Sequence, residues 1–280
     1  MLNNSFIGKH ILITGGSSGI GLALAKLFAL EGANITILAR RADQLERAVA
    51  EIQNNCVQDE QSIRALSGDV GDLETIFPLL AGYQDEFGTP DILVNSAGIT
   101  YPGKFSTLSP EIFRELINVN YLGTVYVCRA LVNGMLRRGT GWIVNISSMA
   151  GFIGTYGYSG YGASKYAVRG FSDVLRAELK PRGIHVSIVY PPDTLTPQLE
   201  FEKDLKPAIT RELADAAGVM TAENVARIII KDMKKGRYTI LPGFQSWFYY
   251  TLSFLLGDLT YKVMDLEIKN AIRRIVKKWQ

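Results

Sequence analysis

The stretch His10-Ile-Leu-Ile-Thr-Gly-Gly-Ser-Ser-Gly-Ile-Gly-Leu-Ala-Leu-Ala-Lys-Leu-Phe-Ala-Leu-Glu31 decides the architecture. It opens as a short apolar run, turns through glycines, and continues with apolar residues at helical spacing. Strand, glycine turn and helix in that order is what a dinucleotide site requires. Gly15 permits the tight turn, Gly19 lets backbone approach a pyrophosphate, and Gly21 allows the helix to pack closely on the strand. Ser17, Ser18 and Ile20 complete the turn and the helix start, whose free amides face phosphates. No Gly-Lys-Ser/Thr follows, so this is not a Walker loop.

The second apolar run, Asn34 to Ala39, ends in Arg40 and Arg41 rather than in an acid. An acid there binds the 2′-hydroxyl of the adenosine ribose, whereas two guanidiniums suit a 2′-phosphate. NADP(H) is therefore expected over NAD(H). Strand and helix patterns keep alternating: helix from about 42 to 54, strand near 62 to 66, helix from about 73 to 87, strand from Asp91 to Asn95. Alternation of this kind predicts an α/β domain, a parallel sheet covered on both faces with ligands at the carboxyl ends of its strands. Asp69 and Val70 are placed to border an adenine, and Asn95, Ala97 and Gly98 to line the cleft floor.

At 280 residues, 47% hydrophobic and 20% charged, the chain suits one large domain with a buried core. A net charge of +3 and the absence of a basic, aromatic-interleaved stripe over the first 230 residues argue against nucleic acid. Cys56, Cys128, His10 and His185 are scattered without metal-ligand spacing, so a metal-free mechanism in a reducing compartment is expected. The first ten residues hold no apolar leader, and a cytoplasmic location is the expectation.

The chemistry concentrates later. Tyr161 and Lys165 stand four apart on a helical pattern and so project from one face. An ammonium held near a phenol favours the phenolate and draws its pKa from about 10 toward neutrality. Thirteen residues before the tyrosine, the run Trp142 to Ile146 ends in hydroxyls, and Ser148 is placed to polarise a carbonyl. Asn120, inside the apolar helical region from Pro110 to Gly139, needs partners for its amide. It serves either as a structural bond or in a water-bridged proton path from the lysine.

Taken together, Thr14-Gly15-x-x-x-Gly19-x-Gly21, Asn95-Ser-Ala-Gly98, Asn120, Ser148 and Tyr161-x-x-x-Lys165 resemble the short-chain dehydrogenase/reductase family in order and spacing over about residues 8 to 200. The resemblance implies a Rossmann-type, doubly wound parallel sheet of about seven strands. It also implies a tetrad: Tyr161 as proton donor, Ser148 orienting the carbonyl, Lys165 lowering the tyrosine pKa and holding the nicotinamide ribose, and Asn120 positioning a relay water. Family members commonly pair through the helices around Asn120 and Tyr161, which implies a homo-oligomer. Where the family usually has Pro-Gly after the sixth strand, this chain has Pro191-Pro-Asp-Thr-Leu-Thr-Pro197, a stiffer loop. Thr194 and Thr196 fall where the family contacts the carboxamide and phosphate. With Gly-Gly-Ser-Ser-Gly and Ala39-Arg40, that loop resembles a branch of the family that reduces the C3 ketone of long-chain sphingoid bases with NADPH. Another ketone, such as a 3-ketoacyl thioester or a steroid, and an NADP(H)-binding protein without catalysis are the other readings.

Residues 1–243 are expected to form the reductase domain, with a substrate lid at about 198–220, and residues 244–280 a helical extension. Phe244 to Gly257 is uncharged and aromatic, but fourteen helical residues span only ~21 Å, short of a ~30 Å hydrocarbon core. Ile268, Ala271, Ile272, Ile275, Val276 and Trp279 recur at helical spacing opposite Lys269, Arg273, Arg274, Lys277 and Lys278. Such a helix suits either an anionic membrane surface, the expectation for a lipid-like ketone substrate, or packing on the domain or a second subunit.

Overall fold

The computed structural model describes residues 6–278. Seven strands form one parallel sheet: β1 (His10–Thr14), β2 (Asn34–Ala39), β3 (Ile63–Ser67), β4 (Ile92–Asn95), β5 (Gly141–Ile146), β6 (Ile184–Val189) and a last strand, Thr239–Ile240. In space the order is β3-β2-β1-β4-β5-β6 followed by that last strand, so the order reverses between β1 and β4. At such a reversal the crossovers diverge and leave a crevice at the carboxyl ends of the strands.

Strand residues alternate between two apolar layers because successive side chains leave opposite faces. Ile11, Ile13, Ile35 and Ile37 meet α1 (Gly19–Leu30) and α2 (Ala42–Gln53), while Leu12, Leu38 and Leu93 meet α3 (Leu73–Phe87) on the other side. The expected helical region from 110 is α4 (Pro110–Leu116) and α5 (Gly123–Arg138) joined through a π-helical segment, Ile117–Leu122, that contains Asn120. Then follow α6 (Ser159–Leu179), which carries Tyr161 and Lys165, and, across the segment expected to be a lid, α7 (Pro197–Glu202) and α8 (Ala208–Ala217). Two short strands that the sequence pattern does not announce, β7 (Thr194–Leu195) and β8 (Met220–Thr221), pair in parallel and tie both ends of that region together. Next comes α9 (Ala222–Lys234), where the Thr221 hydroxyl accepts the Asn224 amide at 3.2 Å as an N-cap. The last strand, β9 (Thr239–Ile240), is shorter than the Arg237 to Pro242 run suggests.

α10 (Gly243–Leu256) and α11 (Leu259–Lys278) follow. Tyr250 of α10 packs edge-on against Phe152, with ring centroids 5.2 Å apart. α11 lies along α8, with Ala271 buried and Arg274 Nε 2.7 Å from Glu212 Oε1. Ile272 and Val276 stay exposed, so only part of the expected apolar stripe is covered by this chain. Trp279 lies outside the described residues.

Candidate active site

A cavity of about 660 Å³ runs along the carboxyl ends of the strands, from Arg40 and Arg41 at one end to Tyr158, Glu202 and Gln245 at the other. The glycine turn forms its floor. Gly15 adopts φ +65° and Gly19 φ +54°, values that favour glycine. A Cβ on Gly21 would lie 2.3 Å from the Gly15 carbonyl oxygen, and one on Gly19 would lie 2.9 Å from the Thr196 methyl. Backbone therefore closes tightly around the N-terminus of α1, a cradle for a pyrophosphate. A dinucleotide fits this donor set: amides for the pyrophosphate, Arg40 and Arg41 for a 2′-phosphate. Arg40 is also held 3.6 Å from Asp69, whose other oxygen accepts the Gly71 amide at 2.9 Å.

Other expected cofactor contacts divide. Ser18, Ile20 and Gly98 line the cavity, as do Thr194 and Thr196. Thr196 also caps α7, accepting the Leu199 amide at 3.2 Å, and the Thr194 hydroxyl donates to the Pro192 carbonyl at 2.8 Å. Val70 is buried in the core. The Ala97 amide donates to the Thr14 hydroxyl at 3.1 Å, fixing the loop after β4 to the end of β1. Asn95 turns away from the cavity, and its amide donates to Asn145 Oδ1 at 2.9 Å inside the core. In the cavity wall Ser96 and Gly98 stand beside it in sequence.

α6 is tied by buried polar bonds to β5, to the residue that follows it and to the π-helical segment. Asn145 Nδ2 donates to the Ser172 hydroxyl at 2.9 Å, the Ser147 hydroxyl donates to the Lys165 carbonyl at 3.0 Å, and Asn120 Nδ2 donates to the Ser164 hydroxyl at 2.9 Å. Ser147 is thereby committed to structure, which leaves Ser148, whose hydroxyl accepts the Ala150 amide at 3.2 Å, lining the cavity with Tyr161. Asn120 also accepts the Ile99 amide at 2.8 Å and donates to the Ile99 carbonyl at 2.9 Å. Its side chain serves as a structural clamp on α6 and on the loop after β4. A Cβ on Gly98 would lie 3.2 Å from Asn120 Oδ1 and 3.4 Å from Lys165 Nζ, so this loop closes over both.

Lys165 is only 5% exposed, and its Nζ donates to the Ile146 carbonyl at 3.0 Å, 5.7 Å from the centre of the Tyr161 ring. Burial brings its pKa down to about 8. The phenol does not follow the simple expectation. Burial pushes the Tyr161 pKa up, the Glu202 and Asp193 carboxylates push it further, and hydrogen bonds from Ser148 and Gln198 oppose them. Sequence spacing shows the lysine but not these two carboxylates, which reach the site from the loop after β6 and from the end of α7.

Glu202, at the end of α7, accepts the Tyr158 hydroxyl and lies 3.4 Å from Lys206. Burial raises its own pKa against the pull of Tyr158 and Lys206. Tyr158 lies on the tyrosine side of the site, its ring centre 5.7 Å from that of Tyr161. Of this group, Asp193 falls inside the unusual loop after β6, a departure that was a signal in plain view.

A family model described as short chain dehydrogenase matches residues 9–205. The chain belongs to that family. This short chain dehydrogenase is 37% identical over 254 residues to 3-ketodihydrosphingosine reductase of Bos taurus, covering 90% of this chain and 76% of the other. It is 40% identical over 233 residues to 3-dehydrosphinganine reductase of Danio rerio, covering 83% and 70%. Its fold superposes on the crystal structure of levodione reductase with a TM-score of 0.78 at 25% identity, covering 86% and 98%. It is an oxidoreductase by family.

Lys165 yields a prediction with a sign. A lysine whose folded pKa lies near 8, below its ordinary 10.5, holds its proton less well folded than unfolded. It weighs on stability below about pH 8, and the burden lifts as pH rises toward 10.5. Lys165→Met is therefore expected to be inactive yet more stable at pH 7, by at most on the order of 3 kcal/mol, less the lost bond to the Ile146 carbonyl. Urea unfolding from pH 7 to 10.5 should show this gain shrinking; a constant offset contradicts it.

Proposed function

We propose that this chain reduces the C3 ketone of 3-ketosphinganine to sphinganine with NADPH. The observation that carries the reading is the half-buried Tyr161 phenol, in one cavity with Ser148 and with the buried Lys165 ammonium 5.7 Å from its ring centre, a cavity bordered also by the first turn of α10. Supporting it are the names of the relatives and the two arginines after β2.

Bound NADPH supplies the hydride. Ser148 holds the ketone oxygen, and Tyr161 gives it a proton as negative charge develops there. Lys165, pinned beneath the ring, holds the nicotinamide ribose and offers positive charge to the phenolate left behind. Asn120 fixes the frame in which both stand, and its clamp on Ile99 keeps the loop after β4 closed over the lysine. With NADPH and 3-ketosphinganine, wild type should oxidise the cofactor and Tyr161→Phe should lose at least about a hundredfold in rate. Turnover confined to 3-ketoacyl thioesters or steroids contradicts the assignment.

The reductase unit in this reading is 1–243 with its lid at 198–220, and 244–280 forms a face toward a lipid surface. No helix among the described residues is long and apolar enough to cross a membrane. α10 instead presents Phe244, Trp247, Phe254 (82% exposed) and Leu255 to solvent, while Lys269, Arg273 and Lys277 of α11 are exposed nearby in sequence. Aromatic and basic side chains together suit an anionic interface, and Gln245 places the same helix at the cavity, where a lipid enters. In flotation with vesicles containing anionic phospholipid, the protein should rise with the lipid and Phe254→Glu with Leu255→Glu should weaken this. Equal flotation of both proteins would remove the membrane role.

A further inference from the structure

The reacting end of the cavity holds more negative charge than its own cations cover. Asp193 Oδ2 and Glu202 Oε2 lie 3.3 and 3.4 Å from the same Lys206 Nζ. One ammonium between two carboxylates leaves a net charge of minus one. Glu202 and Lys206 are both buried, and Glu202 is further occupied by the Tyr158 hydroxyl. Asp193 differs: its side chain is 38% exposed, it lines the cavity, and its field reaches the Tyr161 phenol. Its backbone is fixed from both sides, by the Met220 amide donating to its carbonyl at 3.0 Å and by the two prolines before it. The cation of the tetrad, Lys165, is engaged with the Ile146 carbonyl at 3.0 Å.

We propose that Asp193 is a specificity-determining residue, whose carboxylate takes the ammonium on the carbon next to the substrate ketone while Lys206 and Glu202 hold that carboxylate in position. This rests on the sphingoid-base reading and deepens it. Of the ketones considered, only the 2-amino ketone carries a cation on the carbon next to the reacting one; a thioester or a steroid brings none. Ser148, Tyr161 and Asp193 line the same cavity, so a ketone held by the first two has the loop after β6 as part of the same wall. An ion pair in this partly dry wall is stronger than one in open water. Its chemical consequence is local: the carboxylates that hold the phenol's proton too firmly are offset when a cation docks beside them.

The test compares 3-ketosphinganine with 1-hydroxyoctadecan-3-one, which keeps the chain, the hydroxyl and the ketone but lacks the amine. Wild type should prefer the amine, and Asp193→Asn should contract the ratio of the two kcat/KM values by about tenfold, chiefly through KM. Asp193→Glu should recover part of the ratio. NADPH binding, followed by fluorescence, should be retained in both variants and shows that the cavity is intact. A loss in equal proportion for both ketones, or a wild type that does not discriminate, overturns the proposal. If wild type reduces neither ketone, the sphingoid reading itself fails and the proposal falls with it.

Discussion

The register of α6 on the sheet is the constraint from which the chemistry follows. Apolar packing alone tolerates a slide along a helix, but hydrogen bonds in a low-dielectric interior do not, since each broken one strands a buried polar group. Three such bonds, from Asn145, Ser147 and Asn120 to Ser172, the Lys165 carbonyl and Ser164, fix where Tyr161 and Lys165 stand. A shift of one turn moves the phenol ~5.4 Å, far outside hydrogen-bond reach of Ser148. The ties also resist the tendency of a desolvated ammonium to pull its helix toward water.

The cavity carries charge of both signs. Arg40 and Arg41 line it after β2, backbone amides stand at the start of α1, and the carboxylates of Asp193 and Glu202 come from the loop after β6 and from α7. Cationic and anionic side chains therefore line one cavity together with the buried lysine. The tyrosine sits where these fields meet. Its proton affinity is raised by burial and by Glu202 and Asp193, so spacing to the lysine alone does not describe the charge around the phenol.

Much of this was legible in the residues because it depends on local pattern. Thr14 to Gly21 announces its turn through glycines that backbone contacts require, α3 falls at Leu73–Phe87 as its periodicity suggests, and the seven-strand count agrees with the family resemblance. What was not legible depends on contacts between distant segments. Asn95 reads as a cleft residue by position, yet its β4 face points it to Asn145. The Tyr158, Glu202, Lys206 and Asp193 group joins the start of α6, the segment after β7 and the loop after β6; only Glu202 and Lys206, four residues apart, stand at a spacing that sequence could show. The β7–β8 pair is two residues long on each side, too short for any periodicity to register.

That the cavity delivers hydride to carbon and a proton to oxygen is most directly tested with cofactor deuterated at the transferable C4 position of the nicotinamide. After incubation with 3-ketosphinganine, mass spectrometry of the sphinganine formed should find one deuterium, at C3. Cofactor oxidation without deuterium at that carbon, or product that carries it elsewhere, would contradict the account.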